Sequence, residues 1–270
     1  SKVIGFHFFN PVHRMPLIEI ITTPLTSRET LVTTLEFAKR LGKIPIVVKD
    51  APGFLVNRIL LGYINEAGRL LQEGGSIEGL DKLAVDFGLP MGPFTLSDEV
   101  GLDVGVKVLH ILEAGLGSRF KSGVLFDQIL EKKLLGKKTG KGFYLHATKE
   151  RQVNPEIRTI ANMIGPDNRG YRGSSSQKDS IDRMIFIMIN EAAMILQEGV
   201  VDGADTVDVG MIMGTGFPPF RGGLLRYADS IGIANLIKRM EGFDATFKDG
   251  RFKPCQYIVD LAKSGKGFYR

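Results

Sequence analysis

The chain has 270 residues, 43% hydrophobic and 24% charged, which is ordinary globular material with room for about two domains. Its formal charge of +5 is mild and no Lys/Arg block stands out, so charge gives no argument for nucleic acid as a partner. The single cysteine, Cys255, excludes an internal disulfide and a multi-cysteine metal site; no His or Cys pair has metal-ligand spacing, and no apolar run approaches the ~18–20 residues of a transmembrane helix.

Residues 1–50 read as strand, strand, helix, strand. Residues 3–9 and 17–21 are short apolar runs bounded by Asn-Pro and Thr-Pro, the pattern of buried strands in a parallel sheet. The first carries His7 and the second Glu19. Burying either without a partner is costly, so the two strands suggest a His–Glu pair. On spacing alone, a structural pair and a catalytic one are equally compatible. In the helix that follows, Ser27 is the N-cap, Leu31, Leu35, Phe37, Ala38 and Leu41 form the core stripe, and Gly42 is the stop. Residues 44–48 form the next strand. Three strands and one helix leave bare edges and an uncovered face, so the chain reads as beginning inside a domain.

From Pro52 onward the pattern is helical. A long apolar helix spans about residues 54–73, closed by Gly74-Gly75, with Asn57 in its first turn. Further helices fall at about 80–87, 102–116 and 125–132. Asp98 and Glu99 read as helix-capping residues, and 137–144 as a Gly-rich turn. Residues 165–178 read as a mobile connection, with Ser180 capping a next helix that is apolar almost all round and therefore buried between others. Ile64-Asn65-Glu66-Ala67, Leu71-Gln72-Glu73-Gly74 and Gly140-Lys141-Gly142-Phe143-Tyr144 all recur 125 positions later, the last as Gly265-Lys266-Gly267-Phe268-Tyr269. Pro93-Phe94 aligns with Pro219-Phe220 after a one-residue adjustment. The recurrence marks a duplication.

Three blocks in order, His7-Phe8-Phe9-Asn10-Pro11-Val12, Pro16-Leu17-Ile18-Glu19-Ile20 and Lys49-Asp50-Ala51-Pro52-Gly53-Phe54-Leu55-Val56-Asn57-Arg58, resemble the NAD-dependent L-3-hydroxyacyl-CoA dehydrogenases of fatty-acid β-oxidation. The resemblance implies a mainly α chain: the end of a Rossmann-like α/β domain (1–50), then two tandem, homologous all-α dehydrogenase C-terminal domains (51–146 and 177–270) joined by residues 147–176. A second copy is similar to the multifunctional β-oxidation proteins, in which an enoyl-CoA hydratase half precedes the dehydrogenase. In that copy Asp182 stands where the first has Asn57, and no His/Glu pair precedes it. Residues 177–270 therefore read as structural, taking the place of a partner subunit.

The family reaction passes a hydride from a 3-hydroxyacyl-CoA to NAD and needs a base near neutral pH, a role that suits imidazole. The resemblance assigns His7 as that base, Glu19 as the carboxylate orienting it, Asn57 as a donor towards the substrate oxygen or His7, and Asn10 and Lys138 as cofactor contacts. No Gly-x-Gly-x-x-Gly occurs in the chain, so the pyrophosphate turn is expected upstream, in a missing N-terminal part of the same protein, and this portion alone is expected to be inactive. A thiolase is a further partner implied by bacterial relatives. The expected compartment is the cytoplasm in a bacterium, and otherwise mitochondrion or peroxisome. The rival from another class is a non-catalytic helical assembly module, with His7 and Glu19 a relic core pair.

Overall fold

A computed structural model describes residues 2–147, 151–165 and 176–269. Residues 148–150 and 166–175 of the expected connection at 147–176 lie outside the described residues. In chain order the elements are β1 (Gly5–Phe8), β2 (Leu17–Thr22), α1 (Arg28–Arg40), β3 (Ile44–Lys49), α2 (Val56–Gln72), α3 (Ile77–Phe87), α4 (Pro93–Val100), α5 (Leu102–Leu116), α6 (Val124–Glu131), β4 (Tyr144–Leu145), β5 (Gln152–Val153) and α7 (Pro155–Ile164). They continue with α8 (Gln177–Gln197), α9 (Ala204–Thr215), α10 (Leu224–Ile231), α11 (Ile233–Phe247) and α12 (Gln256–Ser264). Among the described residues no helix is long and apolar enough to cross a membrane. The chain divides into two compact units, one of Ser1–Ile59, Ile189–Arg239 and Pro254–Arg270, the other of Leu60–Met188 and Met240–Lys253. Each unit therefore draws on both halves of the sequence.

In the first unit, β2 lies between β1 and β3. The parallel pairing expected for all three strands holds for β2 and β3, whereas β1 runs antiparallel to β2. Only residues 9–16 join β1 to β2, and a parallel crossover needs about a dozen residues or more. Ile18 and Ile20 turn one sheet face onto Ala38, Leu31 and Leu35 of α1. The cap at Ser27 forms, its hydroxyl accepting from the Thr30 amide at 3.2 Å. Phe37 and Leu41 leave the expected stripe and are about half exposed, because the helical period carries them well round from the line of residues 31, 35 and 38. The other face, expected to be bare, is covered by α9: a Cβ on Gly214 would stand 2.8 Å from Cδ2 of Leu17, and one on Gly210 3.1 Å from Cδ1 of Ile46.

In the second unit, Ser76 caps α3 and Gly88, with φ 116°, ends it. Asp98 is not the cap that its place before Gly101 suggests. It is buried in the last turn of α4 and accepts from the amides of Phe143 (2.8 Å) and Tyr144 (2.9 Å), with Nε2 of His146 at 2.9 Å. Asp81 accepts from the Phe94 amide (2.9 Å) and the Tyr144 hydroxyl (2.9 Å). The first unit holds the same wiring: Asp229 accepts from the Phe268 (2.8 Å) and Tyr269 (3.2 Å) amides, and Asp208 from the Leu225 amide (2.7 Å) and the Tyr269 hydroxyl (2.7 Å). The counterpart of Pro93-Phe94 is thus Leu224-Leu225 rather than Pro219-Phe220. Burial agrees, since Phe94 and Leu225 are inaccessible whereas Phe220 is exposed. Helix α8 begins earlier than expected, capped by Ser176, whose hydroxyl accepts from the Asp179 amide at 3.0 Å; Ser180 lies buried inside the helix.

The second unit is cross-linked by a buried ion cluster. Arg183 donates from Nε to Glu66 (2.7 Å) and from both terminal nitrogens to Glu73 (2.6 and 2.9 Å), while Arg251 donates to the other oxygen of Glu66 at 2.9 Å. Burial alone would push the Glu66 carboxyl up, but Arg251, Arg183 and Arg69 outweigh it and hold it below its ordinary value. A carboxylate depressed in this way contributes stability that is complete above the ordinary pKa and is lost as pH falls through the folded value. Glu66→Gln is expected to cost about 3–5 kcal/mol at pH 7, measured by urea unfolding. The gap to wild type should narrow in acid.

Candidate active site

His7 and Glu19 face each other across β1 and β2 in direct register. Directly opposite residues of an antiparallel pair share a sheet face with Cβ atoms about 5 Å apart, within reach of an imidazole and a carboxylate. Nδ1 of His7 lies 2.8 Å from Oε2 of Glu19. Glu19 is fully buried, whereas the His7 side chain is 30% exposed. An ionised carboxylate only accepts, so the Nδ1 partner must carry its proton, and a neutral His7 then bears its lone pair on Nε2. Nε2 has no hydrogen-bond partner among the described residues. The ring is flanked by Phe9, edge-on at 4.9 Å between centroids, and by Phe54 at 5.5 Å.

The other oxygen of Glu19 accepts from the backbone amides of Leu55 (3.1 Å) and Val56 (3.0 Å). These are orphan donors at the start of α2, so one carboxylate both orients His7 and caps a helix that begins 37 residues further on. The chain reaches the geometry through two consecutive left-handed residues, Gly53 (φ 71°) and Phe54 (φ 51°). Glycine adopts that conformation freely, whereas for Phe54 it costs about 1–2 kcal/mol. The turn also carries the ring that packs on His7.

Asn57 is half-buried in the first turn of α2, directly after the capped amides, and makes no hydrogen bond to His7. Its neighbour Arg58 is fully buried, donating from Nε to Glu191 (2.5 Å) and from both terminal nitrogens to Glu198 (2.7 and 2.9 Å). Burial disfavours the guanidinium charge, but Glu198 and Glu191 outweigh it and raise the pKa further above its ordinary range. Asn10 is exposed in the 9–16 loop, beyond His7. Lys138 belongs to the second unit, on an exposed turn, where it pairs with Asp103 and by that hydrogen bond holds the Asp103 carboxyl below its ordinary value. The structure therefore joins His7 to Glu19 directly and sets Asn57 on the helix that Glu19 caps. Sequence reasoning missed the Leu55 and Val56 amides and the Phe54 turn. One signal was available: no Ser, Thr, Asp or Asn immediately precedes α2, so its cap had to come from elsewhere.

The sequence profile of the 3-hydroxyacyl-CoA dehydrogenase NAD-binding domain matches residues 1–51, and that of the 3-hydroxyacyl-CoA dehydrogenase C-terminal domain matches 53–146 and again 180–269. The chain belongs to the 3-hydroxyacyl-CoA dehydrogenase family. It is 45% identical over 273 residues to the fatty acid oxidation complex subunit alpha of Shewanella frigidimarina (strain NCIMB 400), an alignment covering 100% of this chain and 38% of that protein. It thus spans less than two fifths of the length of that relative. The 3-hydroxybutyryl-CoA dehydrogenase of Escherichia coli K12 (substr. MG1655) shares the fold, with a TM-score of 0.82 over 97% of this chain and 71% of that one at 23% identity. The dehydrogenase part of multifunctional enzyme 1 from C. elegans gives 0.70 over 95% of this chain and 59% of that one at 26% identity.

The two roles of Glu19 separate by mutation. Glu19→Ala strands two buried amides and is expected to cost about 2–4 kcal/mol in denaturant unfolding. Glu19→Gln keeps an acceptor for both amides but turns a donor towards Nδ1. Nitrogen-15 NMR should then find the His7 proton moved from Nδ1 to Nε2, with stability changed by about 1 kcal/mol or less.

Proposed function

We propose that these residues carry the proton-transfer centre and the helical part of an NAD-dependent L-3-hydroxyacyl-CoA dehydrogenase, which oxidises 3-hydroxyacyl-CoA to 3-oxoacyl-CoA in fatty-acid β-oxidation. The observation that carries the reading is the asymmetry of His7: Nδ1 is committed to a buried carboxylate, while Nε2 is left without a partner on a partly exposed ring. A relic core pair has no use for that arrangement. His7 takes the hydroxyl proton at Nε2 as the C3 hydrogen departs as hydride. Glu19 keeps the proton on Nδ1 and stabilises the imidazolium that forms. Asn57 donates towards the substrate oxygen. Bound NAD supplies the hydride acceptor. Asn10, exposed and without a side-chain hydrogen bond among the described residues, fits a contact to the nicotinamide half. Lys138 is engaged by Asp103 and would exchange that partner to reach the cofactor.

The finer domain plan belongs to the same proposal. Residues 51–146 and 177–270 are two copies of one helical domain, after the end of a dinucleotide-binding domain (1–50) and joined by 147–176. Support comes from the profile that matches twice and from the recurrent hooks, Asp98 and Asp81 on Phe143-Tyr144, and Asp229 and Asp208 on Phe268-Tyr269. No Gly-x-Gly-x-x-Gly lies among the 270 residues, so the activity is proposed for a polypeptide of the relatives' length, fused to an enoyl-CoA hydratase part. Association with a thiolase, in a bacterial cytoplasm, completes the reading.

In that longer polypeptide, NADH oxidation with acetoacetyl-CoA tests the base. His7→Gln should lower kcat by ~10²-fold or more with an unchanged circular dichroism spectrum. Near-full turnover would remove His7 from the mechanism.

A further inference from the structure

Glu19 owes its position to the amides of Leu55 and Val56, so whatever fixes those residues also fixes the carboxylate. Within the first unit the contacts that do so come from helices α8 and α9, far along the chain. Gly210 of α9 lies so close that a Cβ there would stand 2.6 Å from Cδ2 of Leu55 and 3.1 Å from Cδ1 of Ile46, the strand partner of Glu19. Gly214, one turn later, would place a Cβ 2.8 Å from Cδ2 of Leu17 and 3.2 Å from both methyls of Val56. Leu17, Leu55 and Val56 are fully buried, and a valine in a helix has nearly one rotamer, so this layer has little room to give way. Neither glycine has a positive φ, and each costs about 1 kcal/mol inside a helix relative to alanine. What each contributes is the absence of a side chain where α9 meets the start of α2. From α8, Glu191 and Glu198 grip Arg58, the next residue after Asn57.

We propose that Gly210 and Gly214 of α9, with Glu191 and Glu198 on and just beyond α8, are positioning residues for the dehydrogenase site: they hold the turn of residues 55–58, and through its amides they set Glu19 and the tautomer of His7. The inference rests on His7 being the base. It gives the later part of the chain, which carries no base of its own, a share in the chemistry performed by the earlier part.

The test uses the full-length protein reducing acetoacetyl-CoA with NADH. Gly210→Ala should lower kcat by about tenfold while KM stays within about twofold, the pattern of a misplaced catalytic group rather than a lost binding contact. Leu55→Val removes the carbon that the new methyl meets, so Gly210→Ala/Leu55→Val should recover kcat to within about threefold of wild type, a coupling that general destabilisation does not produce. If Gly210→Ala does not fold, Glu198→Gln at the partly exposed end of the Arg58 clamp carries the test, with an expected drop in kcat of about threefold at constant KM. Unchanged kcat in the folded variants, or a loss that Leu55→Val leaves in place, overturns the inference. Should His7→Gln keep full turnover, the assignment of the base falls first, and that outcome is distinguishable because it does not involve α9.

Discussion

The carboxylate of Glu19 is the point on which the first unit turns. Taking a carboxylate fully out of water costs several kcal/mol, and a single histidine partner does not offset that. The two amides at the start of α2 supply the difference as charge-assisted hydrogen bonds at the positive end of a 17-residue helix. The same bonds tie a sheet residue to a helix that begins 37 positions later. A left-handed phenylalanine is tolerated just before that helix because the turn it makes delivers both amides and packs an aromatic ring on the imidazole. Orientation of His7, capping of α2 and placement of Asn57 are therefore one constraint seen from three sides.

Much of this was legible in the sequence, and the reason is local. His7 and Glu19 stood out because each interrupts an apolar run, and polar residues in such runs need partners. Ser27, Gly42 and Gly74-Gly75 announced their helix ends through chemistry confined to one turn. The failures share the opposite character. Asp98 read as a cap because Gly101 follows it, yet its partners lie 45 and 46 residues away. Ser180 read as a cap because it precedes the apolar stretch, whereas the helix had already begun at a polar turn capped by Ser176. The direction of β1 followed from loop length, a clue that the apolar pattern does not contain. Sheet coverage by α9 was invisible because Gly210 and Gly214 act through what they lack.

One pattern recurs in both units: Glu19, Glu66, Asp81, Asp98, Glu191 and Asp208 are buried carboxylates answered by amides, a hydroxyl or a guanidinium from elsewhere in the chain. Asp81 and Asp98 fasten the Phe143-Tyr144 segment as Asp208 and Asp229 fasten Phe268-Tyr269. The cost of these hooks is visible at Asp98 and Asp208, where burial raises the carboxyl above its ordinary value despite the hydrogen bonds each receives. These short segments also pack their aromatic rings, Phe143 on Phe94 and Phe268 on Tyr257, and the directional bonds specify one conformation where apolar contact alone would allow several.

The arginine clusters have a consequence for how such a sequence can drift. Arg58 is answered by Glu191 and Glu198, and Arg183 by Glu66 and Glu73; every number in one set differs by 125 from its counterpart in the other, with the arginine and the glutamates exchanged between halves. Neither stretch supplies the countercharge for its own arginine. A neutral change at any of these six positions removes a countercharge from a partner more than a hundred residues away, so the two stretches are not free to diverge independently there. They have to be inherited as a matched set, even while the residues around them, such as Asn57 and Asp182, go separate ways.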